Sequence, residues 1–186
     1  MIKIAHSHVL LDTCCVLNFC ASSNLLAILK TIPAQVAVTQ DVKDELKTLQ
    51  RLENEENEGA IQFEIAIAQR LLTIVDFESE EEAGLFLNYA TTLVKNGDAA
   101  TCAMGIHRRW AIATDDKKVI SFVQREAPHL KILSTPDIIQ HWSEEAGLDS
   151  SALRDALNAI RAKGCYVPPK NHFLRSWWEA ASTDVD

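Results

Sequence analysis

The stretch His8-Val9-Leu10-Leu11-Asp12 is a short apolar run that ends in an acid. A continuous apolar run of this length is typical of a buried strand. The acid then lies at the carboxyl end of the strand, where open α/β sheets bind their ligands. Aspartate after a strand is also a common turn former or helix cap, so Asp12 alone leaves two interpretations open.

Similar apolar runs follow and alternate with stretches of helical periodicity, a pattern typical of a parallel sheet whose strands are joined by helices. Because such crossovers are right-handed, they bring the carboxyl ends of the strands to one edge of the sheet. The sequence therefore predicts an α/β fold with about five parallel strands. The predicted strands cover residues 9–11, 35–38, 73–75, 111–114 and 131–133, and the predicted helices cover residues 16–30, 40–52, 60–72, 80–95, 98–109, 117–126, 135–146, 150–163 and 171–180.

The composition is that of one globular domain, with 186 residues, 47% hydrophobic and 24% charged. No apolar run has the length of a membrane span, and the first residues lack the long apolar core of a signal peptide. We therefore expect a cytoplasmic protein with no membrane partner. There are five cysteines, with Cys14 and Cys15 adjacent and no C-x-x-C pair, which indicates small buried side chains rather than disulfides or structural zinc.

The charge is negative overall but unevenly distributed. The net charge of −8 argues against nucleic-acid binding by bulk electrostatics alone. Counting histidine as neutral, eight acids and three bases give residues 41–64 a charge of −5, whereas six bases and three acids give residues 107–131 a charge of +3. Five bases and one acid give residues 154–178 a charge of +4, so a polyanion could be met locally in the second half of the chain.

Glu45 lies within a predicted apolar stripe. Val42, Leu46 and Leu49 have the i, i+4, i+7 spacing of one helix face, and Glu45 falls on that face. A carboxylate there loses hydration and needs a partner. That partner is either a lysine or arginine in a salt bridge or a bound cation, and the sequence leaves both open.

Two further acidic positions have the same kind of setting. Asp98 follows the turn signal Asn96-Gly97 and opens a helix of small residues, where an acid serves as a helix cap, as a complement to the helix dipole or as a rigidly held ligand. Asp115 and Asp116 follow the apolar strand that ends near Thr114, repeating the transition seen at Asp12. If these strands are neighbours, the carboxylates converge and repel one another unless a cation intervenes.

A site whose ligands are all carboxylate oxygens suits Mg²⁺ or Mn²⁺, which commonly bridge substrate phosphates. The corresponding chemistry is phosphodiester hydrolysis, in which the metal activates water and neutralises charge on the leaving oxygen. A haloacid-dehalogenase-type phosphatase fits less well, because Cys14 stands where its second aspartate is needed. A response-regulator receiver fits less well too, because its acidic pair belongs near the first strand and the pair here comes late.

The ordered set of motifs resembles the PIN domain, a nuclease fold found in toxins of the VapC type and in related ribonucleases. The resemblance runs from about residue 8 to residue 134. It is carried by Leu11-Asp12-Thr13 followed by Asn18, by Val42-x-x-Glu45-Leu46, by Gly97-Asp98-Ala99 and by Thr114-Asp115-Asp116.

This resemblance implies a three-layer α/β/α fold and an endoribonuclease dependent on Mg²⁺ or Mn²⁺. The family's partners are an RNA substrate, an antitoxin protein and often a second copy of the chain. A catalytically silent PIN-fold module that binds RNA or protein is the alternative. Carried over by position, the catalytic and metal-binding acids are Asp12, Glu45, Asp98 and Asp116, with Asp115 as an auxiliary metal ligand; Thr13, Asn18 and Thr114 orient these acids by hydrogen bonds.

The remaining basic and aromatic residues carry weaker expectations. Lys117 and Lys118 follow the acids and could contact substrate phosphates, although as exposed helix residues they would equally serve solubility. Residues 1–136 form the expected nuclease domain, and residues 137–186 a helical extension packed on it. In that extension, Phe173 and Trp177 are predicted to share one helix face, which either packs on the core or is open to a partner.

Overall fold

The computed structural model describes residues 2–52 and 58–183, with the backbone alone for residues 49–52. Five parallel strands form one sheet, as the sequence predicted, and their order in it is β3-β2-β1-β4-β5. The strands are β1 (His8–Leu11), β2 (Gln35–Thr39), β3 (Thr73–Val75), β4 (Ala111–Ala113) and β5 (Ile132–Leu133).

Helices connect the strands and cover both faces of the sheet, which confirms the expected three-layer α/β/α architecture. Within the described residues the helices are α1 (Thr13–Ala21), α2 (Leu25–Thr31), α3 (Gln40–Leu52), α4 (Glu58–Ala68), α5 (Glu80–Ala90), α6 (Asn96–Arg108), α7 (Lys117–Glu126), α8 (Thr135–Glu145), α9 (Ser150–Lys163) and α10 (Arg175–Ser182).

Alternate residues of the central strand define the two halves of the core, as the two-residue period of a strand requires. Val9 and Leu11 belong to the larger cluster, with side chains from α1 to α4 and from α8 to α10. Leu10 faces α6 on the other side, where α5 and α7 complete the second layer. Trp178 of α10 is only 2% exposed and lies in the same core as β1, so the C-terminal helices pack on the sheet domain.

The strand order places the carboxyl ends of β1 and β4 side by side. From β1 the chain passes to β2 on one side, and it returns later to β4 on the other. Leu11 pairs with Ala113, and the Asp12 amide donates to the Ala113 carbonyl at 2.9 Å. This is the topological switch point at which open α/β sheets bind ligands.

Several predicted helices differ from the structure at their ends, and the helix predicted at 80–95 already ends at Ala90. The helix predicted at 16–30 is wrong as a single element, because α1 and α2 are separated by a bend of 120° at residues 22–24. Ser23 adopts a φ of 59°, and the Ser22 hydroxyl accepts from the Asn24 amide, so local side-chain bonds replace helical ones. No single described helix is long and apolar enough to cross a membrane, although α1 and α2 together pass that test of length and composition.

The helix predicted at 171–180 begins only at Arg175. The His172 amide donates to the Pro169 carbonyl in a turn, so Phe173 precedes the helix and does not share a face with Trp177. Residues 53–59, whose run of acids in the sequence predicts a surface linker, lie outside the described residues, except that Glu58 and Gly59 begin α4. The Leu49 side chain of the predicted stripe also lies outside them, whereas Val42 and Leu46 are buried as expected.

Candidate metal centre

Asp12 follows β1 and is held from both sides. The Thr114 hydroxyl donates to Asp12 Oδ2 at 2.7 Å, and the Thr13 amide donates to Oδ1 at 2.7 Å. The carboxylate caps α1 and is only 2% exposed. Burial raises its pKa, and the bonds from Thr114, Cys14 and Thr13 oppose that shift. Asp12 is therefore both a helix cap and a carboxylate at the switch point, with Thr114 and Thr13 in the orienting role predicted for them.

Glu45 reaches the same place from α3. Its Oε2 accepts from the Thr13 hydroxyl at 2.7 Å, and its Oε1 accepts from the Gly97 amide at 2.9 Å. No lysine or arginine among the described side chains pairs with it, so the salt bridge considered for this position does not form there. Two neutral donors fix Glu45 without cancelling its charge.

Asp98 lies in the first turn of α6 and is only 7% exposed. Its carboxylate has no hydrogen bond or ion pair to a described residue, and Lys95 rather than Asp98 occupies the cap position of the helix. Burial, followed by repulsion from Asp12, raises the pKa of Asp98 to about 7, and the charges of Asp116 and Glu45 act in the same direction. The helix-cap interpretation of Asp98 is therefore wrong, whereas its place in the first turn still complements the helix dipole, and the side chain lies among three other acids.

Asp116 completes the group from the start of α7. Its Oδ1 accepts from the Lys118 amide at 2.7 Å and from the Val119 amide at 3.3 Å, which caps the helix. The Asp116 amide in turn donates to the Thr114 hydroxyl at 3.1 Å. One threonine thus ties Asp116 to Asp12, because the same hydroxyl donates to the Asp12 carboxylate.

Asp115 points into a different environment from its neighbour. It accepts from the Thr135 amide at 3.0 Å and from the Thr135 hydroxyl. Asn18 Nδ2 donates to it at 3.2 Å, and the Tyr166 hydroxyl at 2.8 Å. Asn18 therefore orients Asp115 and makes no hydrogen bond to the other four acids. Tyr166, from the segment after α9, is a partner that no motif in the sequence indicated.

A second candidate for metal binding lies beside Asp115. Cys14, Cys15 and Asp115 each offer a ligand atom, and these atoms lie within 4.8 Å of one another, so the cluster could hold a metal ion. It is the only such group of three among the described residues, which means that the four carboxylates surround a wider space. Burial raises the pKa of the Cys15 thiol well above its usual range, which opposes the thiolate that a metal would need.

Two adjoining clefts open onto the four acids. The acidic cleft, of about 810 Å³, is lined by Asp12, Glu45 and Asp116. The lysine cleft, of about 410 Å³, is lined by Asp98, Asp116, Lys95, Lys117 and Lys118. Lys117 and Lys118 are exposed at its rim, next to the acids, as a phosphate-binding role requires.

Several residues of the site were missed by the sequence analysis. Asp41 and Asp44 line the acidic cleft, and Lys95 lines both clefts close enough to lower the pKa values of Asp12 and Asp98. The signal for Asp41 was available, because it lies four residues before Glu45 and so on the same face of α3. No sequence pattern pointed to Lys95, whose position depends on the fold.

The donor set fits a hard divalent cation. The four groups are all carboxylates, and Asp98 makes no hydrogen bond or ion pair to a described residue, although the charge of Lys95 lowers its pKa. Mg²⁺ keeps several water ligands and uses only one or two carboxylates directly, so a site wider than a closed cage is compatible with it.

No model of a known protein family matches the chain, and no curated protein matches it.

Proposed function

We propose that the protein is a metal-dependent endoribonuclease that resembles PIN-domain nucleases and acts as the toxin of a toxin–antitoxin pair. The observation that carries the proposal is Asp98, a buried carboxylate with no hydrogen bond to a described residue that lies among Asp12, Glu45 and Asp116. Such a group is costly unless a cation joins it. Its position at the switch point of a parallel sheet adds support, because ligands bind there in this class of fold.

The residues have separate tasks in this proposal. Asp12, Glu45, Asp98 and Asp116 would hold Mg²⁺ or Mn²⁺, which supplies activation of water and neutralisation of charge on the phosphate. Thr13 and Thr114 keep two of these carboxylates in place by hydrogen bonds of 2.7 Å. Lys117 and Lys118 would bind phosphates that flank the scissile bond, which positions the RNA without reading its sequence.

The preference for Mg²⁺ or Mn²⁺ over a thiol-bound metal rests on the state of the other cluster. Asp115 already accepts four hydrogen bonds, and the neighbouring Cys15 thiol resists ionisation. Binding a metal there would require these bonds to break. The four-acid site needs no such rearrangement.

The experiment compares RNA cleavage by the wild type, Asp12→Asn and Asp116→Asn in Mn²⁺, with Asp155→Asn as the matched control. Asp155 is an exposed aspartate of α9, away from both clefts. Cleavage should be lost in the first two variants and kept in the control, while circular dichroism shows all four proteins folded. Full activity in either site variant, or in excess chelator, would refute the proposal.

Two further measurements separate the alternatives. A silent RNA- or protein-binding module would show no Mn²⁺ binding in a calorimetric titration, whereas the nuclease should bind Mn²⁺ and lose that binding in Asp116→Asn. The toxin role is tested by induced expression in a bacterial host. Growth should stop with the wild type and continue with Asp116→Asn.

A further inference from the structure

A third cleft lies beside the proposed active site and has a different character. This aromatic cleft, of about 500 Å³, is bordered by α7 on one side and by the segment before α10 on the other. Asp115 and Lys117 line both the aromatic cleft and the lysine cleft, so the two clefts are neighbours. A chain bound at the lysines could therefore extend into it.

Phe173 stands at the edge of the aromatic cleft with 76% of its surface exposed. Its ring stacks on His172, with ring centroids 4.9 Å apart and planes inclined by 22°. His172 is itself fixed, because its Nε2 lies 3.0 Å from the Ser134 hydroxyl and its Nδ1 accepts from the Leu174 amide at 3.1 Å. The protein thus holds an exposed aromatic ring on a rigid support, outside the core.

The surroundings of Phe173 are basic, unlike the chain as a whole. Phe173 also borders a cleft lined by Lys3 and Lys131, and Lys117 also borders a cleft lined by Lys118 and Arg125. These three neighbouring clefts are lined by five lysines or arginines and by two acids, Asp115 and Asp137, giving +3 in a chain of net charge −8. Both acids are already occupied by hydrogen bonds from the protein.

We propose that these three neighbouring clefts bind a single-stranded segment of RNA next to the cleavage site, with one base stacked on Phe173. The inference rests on the proposed ribonuclease function and extends it to how the substrate is held. Single strands are bound by a positively charged groove combined with aromatic rings on which bases stack. Exposed Ser121, Gln124 and Asn171 in the aromatic cleft offer hydrogen bonds to base edges.

The test measures binding apart from cleavage. The full chain is titrated, in excess chelator, into a fluorescein-labelled single-stranded RNA, and affinity is followed by anisotropy. Phe173→Ala should weaken binding about tenfold, and Phe173→Trp should preserve it, because stacking is worth that much per base and needs only an aromatic face. The matched control is Leu87→Ala, which removes another exposed apolar side chain (68% exposed) on α5, outside these clefts, and should leave affinity unchanged.

Cleavage in Mn²⁺ is measured in parallel so that the two proposals can fail separately. If Phe173→Ala and Leu87→Ala bind RNA as the wild type does, the stacking proposal is wrong, and wild-type cleavage still decides the nuclease. If Phe173→Ala weakens RNA binding but the wild type cleaves no RNA, the proposed RNA-binding surface is supported and the proposed nuclease activity is refuted. A wild type that binds no RNA overturns the surface. So does a dimer that Phe173→Ala converts to monomers in sedimentation, since a second copy would then occupy this surface.

Discussion

The Gly97 amide donates to Glu45 Oε1 at 2.9 Å, and a Cβ atom at position 97 would lie 2.8 Å from both oxygens of that carboxylate. The start of α6 therefore approaches Glu45 closely only because residue 97 has no side chain. The same approach brings Asp98, the next residue, into the group of acids. A glycine that reads as a turn signal in the sequence is thus part of the geometry of the site.

Gly97→Ala should impair the site more than the fold. The added methyl group displaces the Glu45 carboxylate, which is the flexible end of a side chain, so we expect Mn²⁺ affinity and cleavage to fall roughly 10- to 100-fold. Calorimetric titration with Mn²⁺ and an RNA cleavage assay measure this. Gly84→Ala is the control: nothing lies within 4 Å of its added Cβ atom inside α5, so it should raise the unfolding free energy by up to about 1 kcal/mol and leave Mn²⁺ binding unchanged.

Asp98→Asn should stabilise the metal-free protein at pH 8. The folded state raises the pKa of Asp98 to about 7 from 3.8, so the folded protein binds this proton more tightly than the unfolded chain does. Stability from this group is therefore full below about pH 4 and is lost as pH rises through 7. In chelator at pH 8, the free energy of unfolding of the variant should exceed that of the wild type by on the order of 1–3 kcal/mol. Near pH 4 the two free energies of unfolding should be equal.

Bound Mn²⁺ should reverse the relative stability of the wild type and Asp98→Asn. At pH 8, added Mn²⁺ should raise the midpoint of thermal unfolding of the wild type and not that of Asp98→Asn, because a ligand that binds only the folded state raises its stability. A variant that is less stable than the wild type in chelator at pH 8 would contradict the electrostatic account. It would indicate that the Asp98 carboxylate has a stabilising partner instead.

The thiols should be dispensable for Mn²⁺. Cys14→Ser and Cys15→Ser each replace a soft ligand of the second cluster by a hydroxyl, and at position 14 the hydroxyl can still donate to Asp12 Oδ2, as the thiol does at 3.3 Å. Hard cations prefer oxygen and soft ones prefer sulfur, so both variants should keep Mn²⁺ affinity within about threefold and lose affinity for Cd²⁺. Calorimetric titration with each metal measures these affinities. Loss of Mn²⁺ binding in either variant would indicate that Mn²⁺ binds at the thiol cluster and not at the four acids.

The fold was predictable because the pattern of each strand is local. The apolar runs at residues 9–11 and 73–75 are strands with nearly the same bounds, and an acid directly after β1 had to lie at the edge of the sheet. Which of two adjacent acids enters the site was harder. Successive side chains point to opposite sides of an extended chain, and only the hydrogen bonds from Thr135 and Tyr166 show that the Asp115 carboxylate is held apart from the other four acids.

Other features depend on distant parts of the chain and left no signal. Lys95 comes next to Asp12 only because α6 packs beside β1, and no spacing in the sequence records that contact. The break between α1 and α2 results from side-chain hydrogen bonds at residues 22–24, which compete with a helical pattern of apolar residues that would otherwise continue. In both cases tertiary contacts or local polar bonds override the periodicity.

Arg108 should be a structural rather than a functional cation. Its Nε donates to Glu82 Oε1 at 2.6 Å and its Nη2 donates to Oε2 at 2.8 Å, in a pair whose side chains are only 8% and 2% exposed. The pair joins the end of α6 to α5, and about 15 Å of helix separates it from Asp98. This ion pair therefore gives Arg108 a role in holding the two helices together.

Arg108→Met should lower the unfolding free energy by about 3 kcal/mol, because it leaves the buried Glu82 carboxylate without its partner. Mn²⁺ binding should be unchanged. Arg108 lowers the pKa of Glu82, so the stability due to the pair is present above the unfolded pKa of about 4.3 and is lost as pH falls through the lower folded value. Urea unfolding should therefore show a gap between wild type and variant that is widest at pH 7 and narrows in acid. The double variant Arg108→Met with Glu82→Gln should recover part of the loss; a gap independent of pH would show that packing of the arginine stem, not its charge, supports this contact.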